Sequence, residues 1–368
     1  KLNIHGSIFG QTGYDSHTRS LFNALYKQPE LDIKLSTQLP QDWMKFVNDA
    51  ELDAITKPER KEDWNLIITI PHMWRLFLGQ GKNVAYCVWE GDKVPKSWID
   101  EFLNSKVDLI LCPSNHTKEA IINTAANDYE KDRAADLRIE EKLRIIPHGV
   151  DRSIFYNLNK SKQDDIFRFV VNKGWRGTSW DRGGVQYLIK AFAEEFKKDE
   201  PVELILKLNQ AYINPQIIPQ VIQQLNLSED RASIKIIVDN LSPKQLNELY
   251  NSANCYVCAT RGDAFNLGGI EAMSCGLPTI QTNFGGQTDY MTDKNSLFID
   301  YELNYSEEVP MYENVKWATP KIESIRKQLR YAFEHQDIIK QMGKQAEIDS
   351  NQWTWDKSAE KVINSIKN

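Results

Sequence analysis

The chain has 368 residues, 41% hydrophobic and 26% charged, with a formal net charge of −6 and a pI near 5.7. That length predicts about two domains with a sizeable core. The acidic balance excludes a global basic footprint for nucleic acid, and no apolar run approaches the roughly 18 residues that span a bilayer. No secretory leader is read at the start, and the lysine at position 1 leaves the native start open. The cysteines, Cys87, Cys112, Cys255, Cys258 and Cys275, are odd in number and scattered. They argue against a disulfide framework and fit a reducing compartment. Cys255 and Cys258 have CxxC spacing, but they lie in a strand pattern that turns them to opposite faces, and no second pair completes a zinc site.

In chain order, Leu2 to Phe9 reads as a first strand. The glycine loop Gly10-Gln11-Thr12-Gly13-Tyr14 and a helical pattern follow. Leu31 to Leu35 is a second strand, and the next thirty residues are polar and irregular. Leu66 to Ile70 is a buried strand with His72 at its end. Asn83 to Trp89 is another, running into Glu90-Gly91-Asp92. Val107 to Cys112 precedes a helix that Ser114 or Asn115 caps. Leu143 to Ile146 closes the first half. Strands alternating with helices predict a parallel-sheet domain. The polar run 157–165 reads as a linker, giving a first domain over 1–156 and a second over 166–350.

The second half repeats the alternation. Phe167 to Val171 is a strand, and 172–184 is a loop rich in Gly, Trp and Arg. Helices over Val185 to Phe196, Pro219 to Leu225 and Pro243 to Asn251 separate further strands, with Ser242 as a helix cap. The stretch Asn254–Met291 carries the chemistry. It reads as strand, polar loop, helix and strand, with Asp263 and Glu271 eight residues apart. The loop feeds a helix start, where free backbone N–H groups favour an anion such as phosphate. Ile270-Glu271-Ala272-Met273 is read as opening the helix, which puts Glu271 in the first turn, placed to bond ribose hydroxyls. An ordinary helix start is the plainer alternative. Residues 351–368 form a last helix. Two α/β domains in series predict a cleft lined by strand C-termini.

Asp263-Ala264-Phe265-Asn266-Leu267-Gly268-Gly269-Ile270-Glu271-Ala272-Met273, continuing to Gly276-Leu277-Pro278, resembles the signature of family 4 of the retaining glycosyltransferases (glycosyltransferase group 1). Ile146-Pro147-His148-Gly149-Val150-Asp151, Leu111-Cys112-Pro113-Ser114, Gly285-Gly286 and Trp353-Thr354-Trp355-Asp356 are similar to further parts of that family's pattern. The resemblance implies the GT-B fold: α/β, two Rossmann-like doubly wound parallel-sheet domains facing across a cleft, with the last helix crossing back to the first domain. It implies a hexosyltransferase moving a sugar from a UDP- or GDP-linked donor to a carbohydrate, lipid-linked or other hydroxyl acceptor. It implies no cofactor and no metal, and it admits peripheral contact with a membrane from a cytoplasmic location. Another GT-B enzyme, inverting or epimerising, and a non-catalytic nucleotide-sugar-binding subunit are the alternatives.

Position by position, the resemblance implies Glu271 on the donor ribose and Asp263 at the reacting centre, where glutamate is the usual residue. Asn266, Leu267 and Gly268 would offer loop amides to the diphosphate and sugar, with Asn266 in place of a commoner glycine. Lys173 and Arg182 match the family's basic pair, which neutralises the leaving group, and Arg176 is a rival for either role. Trp89-Glu90-Gly91-Asp92-Lys93-Val94-Pro95 resembles a subgroup in which the glutamate serves, making Glu90 the second catalytic candidate. Gly13 would let its loop approach the donor, and Gly10, Tyr14 and His72 belong to the acceptor side. His148 reads as structural.

Overall fold

The structure is a computed structural model that describes residues 1–10, 12–127, 135–159, 164–178, 181–306 and 312–367. The chain forms two compact units. One comprises Lys1–Gly149 with Thr354–Asn368, the other Val150–Trp353. The polar run 157–165 begins after that first passage, and its residues 160–163 lie outside the described residues.

The first unit runs β1 (Leu2–Gly6), α1 (Gly13–Tyr26), β2 (Ile33–Ser36), α2 (Asp49–Thr56), β3 (Trp64–Ile68), β4 (Lys82–Tyr86), α3 (Lys96–Asn104), β5 (Leu109–Cys112), α4 (Asn115–Asn127), α5 (Ala135–Lys142) and β6 (Leu143–Ile145). Its six strands are parallel in the order β2-β1-β3-β4-β5-β6. Strand residues such as Ile4, Leu66, Ile67, Val84, Ala85 and Ile110 are buried. Sheets covered on both faces by helices need such continuous apolar runs. Ser114 caps α4, accepting the Thr117 N–H at 3.2 Å.

The second unit runs β7 (Phe167–Lys173), α6 (Val185–Glu195), β8 (Val202–Leu208), α7 (Ile218–Gln224), β9 (Ser233–Ile237), α8 (Pro243–Ser252), β10 (Cys255–Cys258), α9 (Leu267–Ser274), β11 (Thr279–Thr282), β12 (Ser296–Ile299), β13 (Tyr301–Tyr305), β14 (Lys316–Pro320), α10 (Ile322–Glu334) and α11 (Gln336–Ser350). Its main sheet has the order β12-β11-β10-β7-β8-β9, again parallel. Phe167, Phe169, Phe192 and Phe196 pack beneath it, with ring centroids 4.9 to 6.3 Å apart. Ser242 caps α8 in a reciprocal box with Gln245. The antiparallel hairpin β13–β14 is an addition that the sequence reading lacks, as are α2 and α3.

The last helix, α12 (Trp355–Lys367), belongs to the first unit. Ser358 Oγ donates to the Pro147 carbonyl at 2.5 Å. A Cβ on Gly149 would lie 2.3 Å from the Thr354 backbone, so only glycine lets these segments meet. His148 packs against His17 and Trp355, with ring centroids 4.2 and 5.5 Å away. Burial pushes the His17 imidazole well below its ordinary value, and the His148 ring adds to that, so His17 is a neutral core group. All five cysteines are buried as free thiols. Among the described residues no helix is long and apolar enough to cross a membrane.

Candidate functional site

Each main sheet reverses its winding once. In the second unit the reversal lies between β7 and β10, and in the first between β1 and β3. Ligands of open α/β sheets bind outside the strand C-termini at such points. In the second unit, Lys173 ends β7, the 174–184 loop follows it, and Asp263 to Glu271 follow β10.

Asp263 is the hub. Its Oδ2 takes the Lys173 ammonium, and its Oδ1 accepts the N–H groups of Phe265 and Asn266 at 3.2 and 2.8 Å. Burial alone would push this carboxyl up. The charges of Lys173 and Arg182, with the Lys173 and Asn266 hydrogen bonds, outweigh it and hold the group at about 2. Arg182 is positioned by the loop after β10: its Nη1 donates to the Gly262 carbonyl at 2.8 Å, and its carbonyl accepts the Arg261 N–H at 2.9 Å. Gly184 closes this zipper. Its φ is +70°, and a Cβ there would lie 1.8 Å from the Ala259 oxygen. The buried Asp181 organises the rest of the loop, accepting from Arg176 N and Gly184 N, each at 3.0 Å. Of the three basic candidates, Lys173 and Arg182 act on Asp263, whereas Arg176 is exposed.

The helix start differs from the sequence reading. α9 begins at Leu267, not Ile270, so Glu271 is its fifth residue and sits beyond the first turn. The Asn266 N–H is engaged by Asp263, so Asn266 has no amide to offer a ligand. The amides of Leu267 and Gly268 have no acceptor among the described residues, as the first donors of a helix lack intrahelical partners. Gly268 also has no room for a side chain, since a Cβ would lie 2.7 Å from the Tyr256 hydroxyl.

Asn266 has φ +63°, a conformation that asparagine tolerates better than most residues. Its side chain is tied into a buried network. Nδ2 donates to Gln281 Oε1 at 2.5 Å, and Tyr290 Oη donates to the Asn266 carbonyl at 3.0 Å. Asn266→Ala is therefore expected to lose about 2–4 kcal/mol in urea unfolding, from left-handed strain and the lost bond to Gln281. Asn266→Gly should lose less, because glycine keeps the backbone geometry. Equal losses for the two would contradict the strain argument.

Glu271 is half-buried. Burial raises its carboxyl to about 7, against the opposing hydrogen bond from Tyr250. Tyr250 Oη donates to Glu271 Oε2 at 3.0 Å and accepts from Asn172 Nδ2 at 3.2 Å. Neither Tyr250 nor Asn172 stands out in the sequence as part of the site.

In the first unit, Gly10, Gly13 and Tyr14 follow β1 and His72 follows β3, so all four flank that sheet's reversal. Asp15 knits the first loop. It accepts from Gly10 N and Thr12 N, each at 2.9 Å, and from the Ser7 and Thr12 hydroxyls. A Cβ on Gly13 would meet nothing within 4 Å, so the folded loop does not itself require glycine there. His72 is exposed. Glu90 follows β4, in a turn fastened to α4 at several points. The Trp89 carbonyl accepts from Thr117 Oγ1 at 2.8 Å, the Glu90 carbonyl bonds His116 Nε2 at 3.0 Å, and Val94 N donates to Thr124 Oγ1 at 2.9 Å. Trp89 Nε1 closes the turn on the Lys93 carbonyl at 2.5 Å. Glu90 is thus presented from a rigid support. Among the described residues no cluster of three or more His, Cys, Asp or Glu side chains is placed to hold a metal.

Residues 174–304 match the family model described as Glycosyl transferases group 1. That segment contains the loop after β7, the Asp263–Glu271 stretch and β11. A probable sucrose-phosphate synthase from Thermosipho melanesiensis is 26% identical over 234 residues, covering 62% of this chain and 48% of the relative. The chain spans about half the length of the curated relatives it matches. A glycosyltransferase structure from Rickettsia africae ESF-5 superposes with a TM-score of 0.71 at 14% identity, covering 100% of this chain and 97% of the other. The Anabaena protein Alr3699/HepE in complex with UDP and glucose gives 0.67 at 13% identity, with 100% and 99% covered. The fold is therefore α/β with two Rossmann-like domains, of the GT-B class.

Proposed function

We propose that the chain is a retaining glycosyltransferase of family 4, transferring a sugar from a UDP- or GDP-linked donor to a hydroxyl acceptor without a metal. The observation that carries this reading is one strand end serving two carboxylates. Asn172 and Lys173 close β7, and they reach Glu271 through Tyr250 and Asp263 directly. Between those carboxylates lie the Leu267 and Gly268 amides, which lack internal acceptors among the described residues. The match of residues 174–304 to group 1 glycosyltransferases supports the same reading.

In this reading Glu271 bonds the ribose hydroxyls, and the Leu267 and Gly268 amides meet the diphosphate at the positive end of α9. Lys173 and Arg182 neutralise charge on the leaving group as the glycosidic bond breaks. Lys173 already has an anionic partner in Asp263, so the diphosphate becomes its second. Asp263 lies by the sugar, and Glu90 is the polar group of the first unit that serves the sugar or the acceptor. Gly13 gives the donor close approach to its loop, with Gly10, Tyr14 and His72 on the acceptor side. The leaving phosphate helps deprotonate the acceptor on the face it departs from, which retains configuration.

Product stereochemistry tests the proposal. The enzyme is incubated with UDP- and GDP-hexoses and an acceptor panel, and the new linkage is read by NMR. An α-linked product from an α-linked donor is expected. A β-linked product would overturn the retaining mechanism, and nucleotide binding with no turnover on any acceptor would favour a non-catalytic subunit.

A further inference from the structure

The proposed donor site leaves one matter open, namely what keeps a half-buried glutamate usable as a carboxylate. A ribose diol needs an acceptor, and a protonated glutamate presents one oxygen fewer for that purpose. Glu271 lies on α9 where burial works against its charge, and among the described residues no lysine or arginine adjoins it as Lys173 adjoins Asp263.

The structure supplies a neutral device instead. Tyr250, on α8, is fully buried, and its hydroxyl is held at both ends: Asn172 Nδ2 donates to it at 3.2 Å, and it donates to Glu271 Oε2 at 3.0 Å. Because Asn172 donates to the tyrosine oxygen, the hydroxyl proton is directed toward the glutamate. A hydrogen bond of that polarity favours the charged carboxylate. Glu271 Oε1 has no partner among the described residues, which leaves it for a ligand.

We infer that Tyr250, anchored by Asn172, is a positioning residue that keeps Glu271 charged and aims its free oxygen at the donor ribose. This rests on the donor-site reading given above. It also gives a role to Asn172, which sits next to Lys173: side chains of consecutive strand residues leave on opposite faces, so one strand end serves both carboxylates.

Among the described residues the surroundings contain no rival for this role. Tyr290 and Cys275 also feel the Glu271 charge, but burial pushes both up and keeps them neutral. Tyr256 of β10 is buried and neutral in the same way. On α11, Glu347 accepts from Asn157 at 3.0 Å, and Lys173 of β7 is engaged by Asp263.

Two measurements on Tyr250→Phe test the inference, with Asn172→Ala as the second variant. Phenylalanine keeps the ring and removes only the hydroxyl, so the fold should survive. The first measurement needs no ligand: the Glu271 carboxyl is followed by carbon NMR across a pH series. In the wild type it should titrate near 7, and in Tyr250→Phe about one unit higher, with a smaller upward move in Asn172→Ala. The second is UDP and GDP affinity across the same series. Tyr250→Phe should bind about fivefold more weakly at pH 7, with the gap closing to within about twofold by pH 9. An unmoved Glu271 midpoint, or a loss of affinity equal at every pH, overturns the inference. A shifted midpoint in a protein that binds neither nucleotide at any pH instead overturns the donor-site reading beneath it.

Discussion

Lys173→Ala is expected to lower both activity and stability, and the two losses should respond differently to a second substitution. Without Lys173, Asp263 keeps two backbone donors and the field of Arg182 but loses the direct partner of a poorly solvated carboxylate. Removing one member of such a pair costs about 3 kcal/mol. The pH dependence follows from the direction of the shift. Asp263 is held at about 2 rather than 3.8, so in the wild type it contributes roughly 2 kcal/mol of stability above its unfolded value, lost as pH falls through the folded one. The wild-type advantage over Lys173→Ala should be full above about pH 5 and fade toward pH 2. Sugar transfer should fall on the order of 100-fold, the typical effect of losing one electrostatic stabiliser of the transition state. Adding Asp263→Ala should cost less than the same substitution in the wild type, because the carboxylate has already lost its partner, and should restore none of the activity. Urea midpoints for the four proteins give the coupling, and additive single losses would show that the pair is not coupled.

Glu271→Gln is expected to separate function from stability in the opposite sense. Glu271 is raised to about 7 from an ordinary 4.5, so its charged form is disfavoured in the folded state. The penalty is absent below about pH 4.5, grows as pH rises toward 7, and is complete above it, reaching roughly 3 kcal/mol. Glutamine keeps the shape and accepts from Tyr250, and it carries no charge to desolvate. The variant should therefore be more stable than the wild type at pH 8 and equal to it near pH 4.5, while nucleotide affinity falls at least about tenfold at pH 8. A variant less stable than the wild type at pH 8 would show that the burial of Glu271 is not a cost.

How much of this was legible in the sequence depends on the range of the interactions. The strand, loop, helix and strand between Cys255 and Thr282 could be read because apolar runs and glycines mark them locally. The start of α9 could not, because Asn266 caps it through a left-handed backbone rather than a side-chain bond, and Leu267-Gly268-Gly269 does not look helical. Asp15 was legible in principle: it stands three residues after Thr12 in a capping box, with aspartate where glutamate is the expected partner. The roles of Tyr250 and Asn172 were not legible, because Tyr250 meets Glu271 from 21 residues away and Asn172 meets Tyr250 from 78. The basic loop divides in the same way. The resemblance favoured Lys173 and Arg182 and kept Arg176 as a rival for either role, and it is tertiary packing against Gly262 and Asp263 that separates them.

The hairpin β13–β14 is illegible in the sequence for another reason. Tyr301 to Tyr305 is mostly exposed on both faces, so it lacks the apolar alternation that marks a half-buried strand.

In the proposed function the second unit holds a nucleoside diphosphate on Glu271 and the start of α9. Calorimetric titration of the wild-type protein with UDP and with GDP, at pH 6 and pH 8 and with and without a chelator, tests it most directly. One-to-one binding of at least one of them is expected, about tenfold tighter at pH 8 as Glu271 ionises, unchanged by the chelator and lost in Glu271→Gln. Absence of binding by either nucleotide, or binding that Glu271→Gln leaves intact, would contradict it.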